Sequence, residues 1–249
     1  MLSEKDKKSL IRKIFEGGIT IHNLPKNLYH KTAKKLMSAV DQAFTKEAEN
    51  ALYNELKTNI YIFSAAKTYT QVKDISSLIV DGNKLRPFNE FKKLALDKYE
   101  QYNVRWLKTE YDTAIGQSQT AVKWQEIQDT KKDFPFLQRK AVMDSHTSME
   151  CAMLNDIIAP VDSPFWATRS PLTHFDCRCI LSKIDRFDDV VLSSQAKIDS
   201  VMKKTDNINP LFKGNPGIDK VIFNKSHPYF DIDKKDKALA KRNFNLPIN

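Results

Sequence analysis

Apolar residues recur at three- and four-residue steps through the first two-thirds of the chain, glycine is scarce there, and prolines fall between the periodic stretches. That pattern predicts helices. Leu10, Ile11 and Ile14 open the first, which Gly17-Gly18 should stop. A turn at Asn23-Leu24-Pro25 precedes a second, with Ala33, Leu36, Met37, Val40, Ala43 and Phe44 as its inner stripe, and a third segment covers about Leu52 to Phe63. The longest periodic stretch runs from Asn89 to Ile127, with Leu94, Tyr99, Tyr102, Trp106, Leu107, Tyr111, Ala114 and Val122 on one side. A helix of that length should break once, and Gly116 is the expected place. Aromatics at helical spacing are read as core, with base stacking as the alternative.

After Asp133-Phe134-Pro135 the pattern changes. Between Met143 and Leu181 prolines, aspartates, histidines and all three cysteines crowd together, which predicts loops and short strands rather than helix. The expected class is α+β: a mainly helical N-terminal part with a long central helix, then a small loop-rich Cys/His module. The expected segments are 1–135 (helical), 136–190 (Cys/His core) and 191–249 (C-terminal extension with a basic tail). No repeat or low-complexity tract interrupts them.

Composition adds a sign. Forty Lys and Arg against 31 Asp and Glu give a net charge of +9, a mild preference for polyanions. Most of the cations read as solvated helix faces. The exception is the tail, where Lys234, Lys235, Lys237, Lys241 and Arg242 precede Asn-Leu-Pro-Ile-Asn and suggest a mobile basic arm able to contact DNA. No run approaches the roughly 18 apolar residues of a membrane span, and the first residues lack a signal-peptide stretch, so folding in cytoplasm without a membrane partner is expected.

The candidate chemistry lies in the cysteines. Cys151, Cys177 and Cys179 are the only ones, and His146 and His174 stand among them. In an extended Cys177-Arg178-Cys179, both sulfurs share a face and the guanidinium takes the other. Cys151, His174, Cys177 and Cys179 would give zinc three sulfurs and a nitrogen, with His146 in reserve. Buried apolar thiols, or a disulfide from Cys151, are the structural alternatives. An enzyme is the functional alternative: a hydrolase or nucleic-acid-processing site using His146, His174 and Cys151. It would also need a group orienting the base and donors for an oxyanion, and the sequence identifies neither. No phosphate loop, His-Glu-x-x-His or Gly-x-Ser-x-Gly occurs.

Asp144-Ser145-His146-Thr147, Cys151 to Asn155, Pro160 to Trp166, Pro171, His174 and Cys177-Arg178-Cys179 together resemble the signature of the Mu F-like phage head morphogenesis family. Flanking segments such as Gly17-Gly18-Ile19-Thr20, Trp106 to Tyr111 and His227-Pro228-Tyr229-Phe230 are similar to relatives, so the resemblance covers nearly the whole chain. It implies a structural minor capsid protein and not an enzyme, located inside the capsid or at the portal vertex of the virion. Its implied partners are the portal protein, the major capsid protein and packaged DNA. Many relatives carry Cys-x-x-Cys where this chain has Ser148 to Cys151, and Pro-Pro where it has Pro171-Leu172. Within this frame Phe165 and Trp166 are expected to plug the loop between Cys151 and His174, with an interface anchor as the alternative. Arg178 is expected to pair with Asp144 or Asp162, with an exposed DNA contact as the alternative.

Overall fold

The computed structural model describes residues 2–44 and 51–246. The fold is α+β, and the chain divides into two compact units, Met1–Ala114 with Lys225–Asn249, and Ile115–Asn224. Composition suggests cuts near 135 and 190 instead. The difference arises because compositional change marks where helix gives way to loop, whereas packing joins the C-terminal segment to the helices that begin the chain.

In the first unit, α1 (Glu4–Phe15) is capped by Ser3, whose Oγ accepts from the Asp6 amide at 3.2 Å. It ends before Gly17, whose φ of +76° is a conformation that favours glycine. Helix α2 (Lys26–Val40) buries Leu28, Tyr29, Ala33, Leu36 and Val40, while Ala43 and Phe44, expected on the same stripe, fall in the turn beyond its end. Helix α3 (Ala51–Ser77) runs well past the expected Phe63. Its middle is buried on several faces, Ser64, Lys67, Thr68 and Gln71 included, so it carries no single apolar stripe for periodicity to detect. Leu10, Ile11 and Ile14 of α1 pack with Leu28 and Ile75 and with Phe91, Ala95 and Tyr99 farther along.

After the short hairpin of β1 (Val80–Asp81) and β2 (Lys84–Leu85), helix α4 (Phe88–Glu100) passes into a π-helical stretch, Gln101–Trp106, and then α5 (Leu107–Thr130). The expected break at Gly116 is therefore absent, and the irregularity lies ten or more residues earlier. A π turn inserts about one extra residue and rotates the helix beyond it. The inner positions run Phe91, Ala95 and Tyr99 before it, Tyr102 and Asn103 within it, and Leu107, Glu110 and Ala114 after it. Trp106, expected inside, is turned to 39% exposure, and Leu94, also assigned to the stripe, is 40% exposed. The buried Asn103 side chain donates to the Tyr99 carbonyl at 2.9 Å, satisfying an acceptor that the wider turn displaces. Gly116 is instead a close-packing site: a β-carbon there would lie 2.9 Å from Leu172 Cδ1.

The C-terminal segment is not a free arm over the described residues. A 3-10 turn, Pro228–Phe230, buries Tyr229, and a last helix, Lys237–Lys241, packs Ala240 against Leu24, Tyr69 and Val72. Tyr69 Oη donates to Asp236 Oδ2 at 2.7 Å. Pro247, Ile248 and Asn249 of the expected tail lie outside the described residues.

The second unit is built on a three-stranded antiparallel sheet ordered β4-β3-β5, with β3 Phe136–Lys140, β4 Ile158–Pro160 and β5 Ile180–Ile184. Leu137 pairs with Ala159 on one side and Lys183 on the other, and Arg139 pairs with Leu181. Helices α6 (Met149–Leu154), α7 (Phe165–Thr168), α8 (Gln195–Lys204) and α9 (Pro216–Asp219) lie in the connections and the segment after β5. The core joins Trp124, Ile127, Leu137, Leu154, Phe165 and Trp166 with Ile198 and Phe212. Among the described residues, no helix is long and apolar enough to cross a membrane.

Candidate functional site

The three cysteines converge. Cys151 lies on α6, and Cys177 and Cys179 lie in the extended stretch entering β5; all three are buried, free thiols forming one cluster with Ala141 and Leu172. Ser148 caps α6 by accepting from the Cys151 amide at 3.1 Å, which orients that helix turn. Cys177 and Cys179 point inward and Arg178 outward, the alternation an extended chain imposes.

Cys151 Sγ lies 3.2 Å from His174 Nε2, 3.6 Å from Cys177 Sγ and 3.3 Å from Thr173 Oγ1. His174 Nδ1 is 2.6 Å from the Phe175 carbonyl, to which it donates, which turns Nε2 toward the sulfurs. One ligand atom each from Cys151, His174 and Cys177 lie within 4.8 Å of one another. Tetrahedral zinc with bonds of about 2.3 Å to sulfur holds its sulfurs roughly 3.8 Å apart, close to the spacing seen here. The donor set therefore fits a zinc-sized ion.

Crowding splits the thiols. Cys177, in hydrogen-bonding contact with Cys151 and Cys179, is held well below the usual thiol range. Cys179 is pushed upward by the same two neighbours and by burial. Beside them lies a cavity of about 20 Å³, lined by Cys151, His174, Cys179, His146 and Thr147 among others. That is room for one ion or water. Neither the exposed His146 nor the buried Cys179 joins the three-residue group, although both line the cavity beside it.

The remaining candidates separate. Arg178 makes a two-pronged pair with Asp144, at 2.8 and 2.7 Å, and holds that carboxyl below the usual carboxylate range. Asp162 pairs with Lys131 at 2.9 Å instead. Phe165 and Trp166 are buried edge to face, centroids 4.8 Å apart, and Trp166 Nε1 donates to the Pro160 carbonyl at 2.8 Å. Lys234, Lys235, Lys237 and Lys241 are exposed and belong to the first unit, whereas the cluster belongs to the second. Arg242 is half-buried and donates to the Leu239 carbonyl at 3.2 Å. Two buried arginines escape a reading of the sequence. Arg139 and Arg169 are 0% and 3% exposed, and no motif distinguishes them from surface cations.

Residues 85–182, which contain the whole cluster, match the family model described as Phage Mu protein F like protein. The match thus covers the central part of the chain and not nearly all of it. Over 75 residues the chain is 32% identical to "Putative capsid assembly protein F" of Escherichia phage Mu. That stretch is 30% of this chain and 17% of the Mu protein, so the match spans less than a fifth of the relative's length. No solved structure matches the chain. Residues 85–182 are thus similar to the Mu F-like family.

Proposed function

We propose that this chain is a structural minor capsid protein of a phage head, acting in head morphogenesis, and that its Cys/His cluster is a zinc staple rather than a catalytic centre. The observation that carries the reading is convergence: the family-matched segment brings two sulfurs and an imidazole together beside a small cavity with room for one ion. Cys151, His174, Cys177 and Cys179 hold the metal, tying the loops around α6 to β5. When bound, zinc supplies a structural cross-link, on the order of 10 kcal/mol toward folding a loop-rich module.

The partners are the portal protein, the major capsid protein and packaged DNA, and the location is the capsid interior or portal vertex. Support for the capsid partners comes from the family and from the capsid-assembly name of the Mu relative. The net charge of +9 and the exposed lysines near the C-terminus support DNA contact.

A hydrolytic reading begins from the 3.2 Å approach of Cys151 to His174. Three features weigh against it. Cys151 is 3% exposed, the adjoining cavity admits only a water, and His174 Nδ1 meets a carbonyl in place of an orienting carboxylate.

A null allele tests the assembly role during infection. Heads lacking DNA or failing to form, restored by the wild-type chain in trans, are expected. Normal numbers of DNA-filled, infectious heads in the null would overturn the proposal.

A further inference from the structure

Arg139 projects from β3 into the interior of the second unit with 0% exposure. Its Nη1 donates to the Arg169 carbonyl at 2.7 Å and its Nη2 to Thr173 Oγ1 at 3.4 Å, while Nε has no acceptor. Among the described residues no carboxylate pairs with it; the ion pairs of this unit are made by Lys123, Lys131, Arg178, Lys183, Arg186 and Lys213. A guanidinium does not shed its proton in a protein, and burying one without a counter-charge is costly. Some neighbouring group should therefore be anionic.

The geometry narrows the choice. The hydroxyl that Nη2 reaches, Thr173 Oγ1, lies 3.3 Å from Cys151 Sγ and 3.9 Å from Cys177 Sγ. Arg139 stands opposite Leu181 in the sheet register, and Cys179, two residues before Leu181, shares that face along the extended chain. The buried cation thus borders the sulfur cluster, with one threonine hydroxyl between them.

Charge counting then discriminates between ligand sets. A divalent ion with two thiolates and two neutral imidazoles, His146 completing the set, is neutral and leaves Arg139 unbalanced. With three thiolates and one imidazole the centre carries a single negative charge, equal and opposite to the guanidinium. We infer that Arg139 is the buried counter-charge of a zinc centre made by three thiolates and His174, in which Cys179 and not His146 is the fourth ligand. The inference rests on the zinc reading of the proposed function, and it adds Arg139 as a positioning residue that never touches the metal.

The test uses the full chain with Zn²⁺ and Co²⁺ as probes. Zinc affinity by chelator competition should fall by about 10- to 100-fold in Arg139→Met, the usual effect of losing an outer-shell partner, and should be largely kept in Arg139→Lys. Sulfur-to-cobalt charge-transfer absorption should drop by about a third in Cys179→Ser and stay unchanged in His146→Ala. Folded Arg139→Met binding zinc within about twofold of wild type would overturn the inference alone. Where Arg139→Met fails to fold, the cobalt spectra decide: absorption unaffected by Cys179→Ser overturns it. Wild-type protein that takes up neither ion would instead defeat the zinc reading itself, and Arg139's role with it.

Discussion

Lys67 of α3 donates to Glu110 of α5 in an ion pair from which water is excluded, the two side chains being 1% and 8% exposed. Tyr229 Oη adds a hydrogen bond to the other carboxylate oxygen at 3.0 Å, bringing the C-terminal segment onto the same pair. Burial pulls the Lys67 ammonium below and pushes the Glu110 carboxyl above their ordinary values, and each partner's charge opposes that shift. Breaking one side strands the other. Lys67→Met alone should cost about 3–5 kcal/mol, whereas the double change with Glu110→Leu should recover most of that loss. Urea unfolding of the two variants measures the difference; equal losses would show that the pair is not acting as a unit.

His227 gives the first unit a pH dependence of known sign. Burial, and secondarily the Lys67 charge, lower its imidazole from 6.5 to about 4. Its Nδ1 accepts from the Tyr229 amide at 3.3 Å, so the folded ring is neutral at that nitrogen. The unfolded chain protonates through about 6.5 and the folded chain only near 4, so the unfolded state binds more protons between those values. Stability should therefore decline as pH falls from about 6.5 to about 4 and lose nothing further through this group below that. His227→Gln should flatten that slope by about one proton's worth, measured by denaturant titration across the window. An unaltered slope would exclude His227 as its source.

Two glycines should respond differently to alanine. At Gly217 the new β-carbon would meet Trp124 Cβ at 2.4 Å, an atom fixed by α5, so Gly217→Ala should destabilise the second unit by about 2 kcal/mol or more. At Gly116 the obstacle is the movable end of Leu172, and alanine gains about 1 kcal/mol of helix propensity, so Gly116→Ala should be near neutral. Thermal unfolding separates them; equal shifts would mean that the contacts are not limiting.

The lysines near the C-terminus make a salt-dependent prediction. Each phosphate neutralised contributes about 0.9 to the slope of log affinity against log salt. Replacing exposed Lys234, Lys235, Lys237 and Lys241 by glutamine should lower that slope for duplex DNA by roughly 2 to 4. A wild-type slope in the quadruple variant would place any DNA contact elsewhere.

How much of the structure is legible in the sequence depends on how locally each feature is encoded. Leu10, Ile11 and Ile14 declare an amphipathic helix by spacing alone, and the clustering of Cys151, Cys177 and Cys179 along the chain announces a site. The π turn does not declare itself, because Gln101 to Trp106 is ordinary helix-forming sequence and only the displaced Trp106 reveals the shift. The docking of the C-terminal segment is hidden for another reason. Tyr69 with Asp236, and Glu110 with Tyr229, join residues more than a hundred positions apart, and each reads alone as a surface group. Arg139 illustrates the same limit: an alternating strand with an arginine at a buried position looks from sequence like a strand with an exposed one.

Quantifying this chain by mass spectrometry in purified, DNA-filled particles tests the central claim most directly. A fixed copy number per particle, retained through density-gradient purification, is the result this account predicts. Abundant chain in infected-cell lysate but none in heads or head intermediates would contradict it.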